Sequence, residues 1–370
     1  MADQYDILIV GAGPAGCMLA REAGRTRRVL LVEARACRLP AGSGKGKNCG
    51  GLLNEEAQKA LASFGIALPA KVLESPQVFA IRAIDFDNGL ERFYPKKYIN
   101  IDREAFDRFL LERALARPGV ELADRTVVRS IEPAGDHVTV QLKHEDGTAT
   151  QVQAECLVGA DGAASMVRRT LETRLSGPDE PAYPIRRYAA LQQWFEVKEE
   201  LPYYAAFFDQ KVTDYYSWMI PKRGRLILGS ALPEGEGARK RFERLKEEVI
   251  RAGFPIDSKP VAEAGCLMLR PYGPESVNLG KGRVFLAGEA AGLISPSSEE
   301  GISYAIRSGH ALGRLLADAG PSQELRRAYE KAIRGMSLDL IVKNLKSKIM
   351  YQPLPRGLVF RTGALSIRRQ

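Results

Sequence analysis

The chain has 370 residues, 45% of them hydrophobic, which is long and apolar enough for a large core in two domains or one elaborate one and excludes disorder for most of it. Its formal charge is +9, its five cysteines are odd in number with no CxxC pair, and its three histidines are too few for a zinc or non-haem iron centre. No secretory leader opens the sequence and no run reaches the length of a membrane span, so it reads as a cytoplasmic protein with free thiols and no metal site.

Tyr5-Asp6-Ile7-Leu8-Ile9-Val10 reads as a buried strand running into Gly11-Ala12-Gly13-Pro14-Ala15-Gly16. A short helix ending near Gly24 follows, then a second strand from Val29 to Val32, closed by Glu33 and Ala34. That order is a dinucleotide-binding unit. Gly11 permits the tight turn, Gly13 lets backbone N–H groups approach a pyrophosphate, and Gly16 lets helix and strand pack closely. Glu33 is placed to accept from a ribose hydroxyl. Residues 42–47 evoke a phosphate loop but lack the early glycine and the Ser/Thr of the Walker pattern, and read better as a basic loop.

Residues 76–99 alternate as antiparallel strands, and 103–116 read as a helix with Phe106, Phe109, Leu110 and Ala114 on one face. Residues 126–152 read as a β-meander, and Cys156-Leu157-Val158-Gly159-Ala160-Asp161-Gly162 as a second buried strand ending in a polar turn. The alternation of 185–232 suggests a sheet floor for a substrate chamber, with an amphipathic helix over 239–252. A third buried strand, 283–287, leads to Gly288-Glu289-Ala290-Ala291-Gly292, and a helix starts near Gly301 and Ile302. From Gln323 onward the chain is helical and grows basic, with Lys343, Lys346, Lys348, Arg356, Arg361, Arg368 and Arg369 against Asp339. Such an excess suits a phosphorylated substrate or an anionic membrane surface better than nucleic acid, whose modules and stacking aromatics are missing; a solvated tail is the bland alternative.

Three strand-then-turn signals, at 11–16, 159–162 and 288–292, are more than a nicotinamide dehydrogenase needs. In their order and spacing the sequence resembles FAD-dependent flavoproteins built like p-hydroxybenzoate hydroxylase. The resemblance implies an α/β fold: an FAD-binding Rossmann-like domain (1–75, 100–170, 270–322), an interleaved antiparallel-sheet substrate domain (76–99, 171–269) and a C-terminal helical basic segment (323–370). It implies FAD as cofactor, with Gly11, Gly13, Pro14, Ala15, Gly16, Glu33 and Ala34 at its ADP half and Arg103 reaching it from a helix. Asp161, Gly288 and Glu289 would hold its middle, and the helix start at Gly301 and Ile302 would face the flavin pyrimidine edge. Glu289 stands where most relatives carry Asp, and Asp161 is also readable as a helix cap together with Ser165.

Lys47-Asn48-Cys49-Gly50-Gly51 and Tyr216-Ser217-Trp218-Met219-Ile220-Pro221 look like the KxCGG and YxWxFP signatures of the geranylgeranyl reductase family, with Ile220 replacing Phe. Segments 47–53, 98–107, 157–169 and 191–195 are similar to the CbrA-like branch of that family. This implies an FAD-dependent oxidoreductase that reduces C=C bonds of an isoprenoid or other long apolar substrate by hydride transfer from reduced flavin. Lys47, Cys49 and Gly50 would lie at the flavin, with Cys49 as the catalytic thiol that manages the proton, and Tyr216, Trp218 and Pro221 would line the substrate. Plain packing is the alternative for Cys49, and core packing for Tyr216 and Trp218. No second GxGxxG follows, so an external donor, NAD(P)H or a ferredoxin-like carrier, must supply electrons. Two other readings stay open. One is a flavin-dependent monooxygenase or halogenase acting on an aromatic small molecule, since Trp218-Met219-Ile220-Pro221 echoes a WxIP motif. The other is a sensor whose FAD is structural.

Overall fold

In this computed structural model, which describes residues 3–37, 49–175, 183–363 and 366–367, the chain falls into two units. The first comprises Met1–Gly46, Glu104–Ile185 and Leu269–Val342; the second comprises Lys47–Arg103, Arg186–Met268 and Lys343–Gln370.

Short uncharged runs of Ile, Leu and Val build the parallel sheet of the first unit, as expected of strands covered on both faces. Its strands lie in the order Gly280–Lys281, Val284–Leu286, Ala149–Gly159, Asp3–Val10, Val29–Val32, Val120–Ala123, the first pair antiparallel and the others parallel. Leu286 pairs with Gly159, Gly159 and Val32 with Val10, and Ala123 with Val32, so these residues stand in one row at the C-terminal ends of their strands. The helix Pro14–Ala23 packs closely on the helix Ile302–Asp318. A Cβ on Gly309 would fall 2.2 Å from the Ala15 carbonyl oxygen, and one on Gly313 would fall 2.6 Å from that of Leu19.

The meander and the second buried strand, which the sequence pattern separates, are joined. Ala149–Gly159 is one strand whose first half pairs antiparallel with His137–His144 while its later residues pair with Val284–Leu286. Its exposure changes from one-sided to fully buried along its length, and that change of period imitates a break. The C-terminal helix does break, into Gln323–Met350 and Pro353–Thr362, where Pro353 opens the second helix.

The second unit is built on an eight-stranded sheet in the order Ala262–Pro271, Ile185–Glu196, Arg225–Pro233, Ser217–Lys222, Tyr204–Phe208, Val78–Asp85, Leu90–Asn100, Leu52–Leu53 among the described residues. The amphipathic helix Ala238–Arg251 covers one face, burying Phe242, Leu245 and Val249 with Phe207, Met219, Leu226 and Leu228. Gln192, Gly229, Trp218 and Ala206 are paired across successive strands and share the opposite face. Part of that face is covered by the end of the chain: Tyr351 stacks on Tyr216, and buried Arg356 pairs with Asp85 at 2.8 Å and Asp87 at 2.6 Å.

Candidate functional site

In the first unit, the turns after Val10, Gly159 and Leu286 leave from adjacent parallel strands, the place where open α/β sheets hold ligands. Gly11 has φ +103°, and a Cβ there would lie 2.5 Å from the Ala160 carbonyl oxygen, so only glycine lets the first turn pass the second. Gly13 caps the helix Pro14–Ala23 with no side-chain bond, leaving a bare helix N-terminus with Pro14 and Ala15 in its first turn. Ala15 meets the third turn, since a Cβ on Gly288 would lie 2.9 Å from its own. This close-set backbone cradle suits a pyrophosphate and therefore fits FAD.

Glu33 accepts from the Ala12 amide at 2.8 Å and from Arg35 Nε at 2.9 Å. Burial opposes its ionised form, but Arg35 and the Ala12 amide outweigh that and hold its carboxyl below the ordinary range. Ala34 beside it is exposed. Asp161 caps the helix Met166–Thr170, accepting from the Met166 amide at 2.8 Å and from Ser165 Oγ at 2.5 Å, and burial raises its pKa against those bonds. Glu289 accepts from the Leu269 amide at 3.2 Å. Gly301 caps the helix starting at Ile302 without a side chain, and Glu300 satisfies the Ser303 amide at 2.6 Å. Arg103 is buried at the start of the helix Arg103–Leu115. Arg168, which the sequence offers beside Asp161 as part of a capped helix start, reaches with its guanidinium the carbonyls of Ala290 at 3.4 Å and Ser276 at 3.3 Å and so braces the third turn.

The second unit brings Cys49 and the Tyr216–Pro221 motif together. A Cβ on Gly50 would lie 2.1 Å from Ile220 Cδ1, and Gly51, at φ +64°, would carry one 2.9 Å from Lys222 Nζ. Lys222 donates to Asn100 Oδ1 at 2.5 Å, to the Ile101 carbonyl at 2.8 Å and to that of Gly51 at 3.4 Å. Burial lowers its pKa to about 8, opposed by the charges of Cys49, Glu74 and Asp102. A cation thus lies within electrostatic reach of the Cys49 thiol. The sequence signal for it was faint: one lysine directly after the Trp-x-Ile-Pro motif. Cys17 and Cys156 are buried with raised pKa values, and burial pushes Cys37 to about 11. Lys47 lies outside the described residues.

Tyr216 and Trp218 are buried, their rings 5.6 Å apart, whereas Pro221, buried and paired with Leu226, alternates to the helix-covered face of the sheet and is not brought together with them. The Trp218 indole fills the space over Gly229, where a Cβ would lie 2.3 Å from it. Gln192, on the same row of the sheet, is buried, and its Oε1 has no hydrogen-bond partner among the described residues. Among the described residues no group of three His, Cys, Asp or Glu side chains is placed to hold a metal ion.

A family model described as an FAD binding domain matches residues 4–334. The chain belongs to that FAD-binding family. It is a flavoprotein, and its cofactor is FAD. It is 38% identical over 366 residues to protein CbrA of Escherichia coli strain K12, covering 99% of this chain and 98% of CbrA. Two solved structures share the fold. A geranylgeranyl bacteriochlorophyll reductase-like protein from Thermoplasma acidophilum is 18% identical with a TM-score of 0.80, over 97% of this chain and 90% of its own. The flavin-dependent brominase Bmp2 is 19% identical with a TM-score of 0.66, over 97% and 93%. The α/β flavoprotein fold with its antiparallel sheet and C-terminal helices is the one expected from the three turns.

Proposed function

We propose that this FAD-binding protein reduces carbon–carbon double bonds of an isoprenoid or similarly long apolar substrate, as a relative of the geranylgeranyl reductases. One observation carries the reading: the Cys-Gly-Gly and Tyr-x-Trp-x-Ile-Pro motifs, remote in sequence, pack together in the second unit through Gly50 on Ile220 and Gly51 beside Lys222. Bound FAD, reduced by an external NAD(P)H or ferredoxin-like donor, supplies the hydride for one carbon of the double bond. The chain must then hold a proton for the other carbon. Cys49 Sγ is the assigned donor, and Lys222 tunes it by charge and fixes its turn through the Gly51 carbonyl. Gly11, Gly13, Gly16 and Glu33 hold the ADP half, with Asp161 and Arg168 shaping the neighbouring turns. Tyr216 and Trp218 keep the substrate side apolar and dry.

The test is anaerobic reduction of the FAD-loaded protein followed by addition of geranylgeranyl diphosphate or a prenyl lipid. Reoxidation of the flavin with a product two hydrogens heavier is expected. Reoxidation by oxygen alone, with oxygen or bromine carried into an aromatic compound, would overturn the reading in favour of the hydroxylase or halogenase alternative.

A further inference from the structure

We propose that the end of the chain docks the protein on an anionic lipid surface. On the helix Gln323–Met350, Ile341, Val342, Leu345 and Ile349 recur at helical spacing and are exposed, Val342 by 67% and Leu345 by 61%. Leu354 and Leu358, one turn apart on the helix Pro353–Thr362, are exposed by 83% and 64%. Single exposed leucines are ordinary, but a run of them along consecutive helices marks a surface made to be covered.

Charge identifies what covers it. After Asp339 the sequence contains no Asp or Glu, while Lys343, Lys346, Lys348 and Arg361 lie among the aliphatic residues. Lys346 is exposed and has Lys96 and Lys343 as like-charged neighbours. A second copy of the chain would set this cationic face against itself. Nucleic acid would want stacking aromatics, and the exposed residues here are aliphatic. An anionic bilayer satisfies both features, taking the leucines at its acyl boundary and the ammonium groups at its headgroups. No helix among the described residues is long and apolar enough to cross a membrane, which suits a segment lying in the interface.

The proposal stands apart from the substrate assignment, because lipid binding is read without substrate. The FAD-loaded full chain is sedimented with vesicles of phosphatidylcholine alone or mixed with phosphatidylglycerol, over a range of salt. Binding to the phosphatidylglycerol vesicles that weakens with salt is expected. The pair Leu354→Gln and Leu358→Gln should weaken it by about tenfold, and the pair Lys343→Glu and Lys346→Glu by about as much with a flatter salt dependence. Unchanged flavin absorbance confirms that the variants fold. Absence of binding at low salt, or binding indifferent to the leucine pair, would overturn the proposal. So would a wild-type dimer by light scattering that the leucine pair dissociates.

Discussion

Lys222 holds Asn100 by a 2.5 Å hydrogen bond from its ammonium to the side-chain carbonyl, and Asn100 donates in turn to the carbonyls of Pro76 and Pro221 at 2.8 Å each. Lys222→Met removes the donor from this cluster and leaves the Ile101 carbonyl and Asn100 Oδ1 unsatisfied. A loss of about 1–3 kcal/mol is expected from urea unfolding. The pH dependence has a definite sign. Because burial lowers the Lys222 pKa to about 8 from its ordinary 10.5, the unfolded chain binds more protons between those values. Wild-type stability from this group therefore rises as pH climbs through that window, and the gap to Lys222→Met should widen there. A gap independent of pH would place Lys222 in water rather than in the cluster.

The same charge bears on Cys49. Alkylation of Cys49 by iodoacetamide should follow a thiolate profile that moves to higher pH in Lys222→Met, since the nearby cation favours the anion. Cys37 and Cys266 must be replaced by serine so that the label reports one site.

Cys49→Ala should retain FAD and lose double-bond reduction by about a hundredfold, the low end of what a positioned acid contributes. Full turnover with FAD bound would return the cysteine to packing.

Gly11→Ala introduces a Cβ into a carbonyl at a backbone angle that suits glycine, so the variant should be purified without yellow colour or not at all. Gly335→Ala is its control. Gly335 lies inside the helix Gln323–Met350 with nothing within 4 Å of an added Cβ, and a gain of up to about 1 kcal/mol in unfolding free energy is expected.

Arg356→Met leaves the buried carboxylate of Asp85 and its neighbour Asp87 without their cation, and should cost about 3–5 kcal/mol. Adding Asp85→Asn to the variant should recover part of the loss. Thermal melts of the two variants measure both.

Much of this molecule was readable from the order of its residues. The strand Val29–Val32 and the helix after Gly13 follow from glycine placement and from unbroken aliphatic runs, which are local signals. Ala149–Gly159 was split because one strand passes from a half-exposed to a fully buried setting. The roles of Lys222 and of Arg168, which the sequence offers only as a neighbour of the Asp161 turn, are harder still to read. Each acts on carbonyls remote in sequence, and a backbone carbonyl leaves no mark in residue identity. Arg356 reads as one more tail charge, and burial sets it apart from Lys346 and Lys348, which are exposed.

The level row of Leu286, Gly159, Val10 and Val32 has a consequence for how such a chain can be rebuilt. Pairing fixes where each strand ends but places no demand on the length of what joins one strand to the next. The second unit exploits that freedom, being drawn from stretches that begin at Lys47, Arg186 and Lys343. Exchange of Arg186–Met268 for another sequence leaves every backbone pair of the row untouched, because no residue of the row or its partners comes from that stretch.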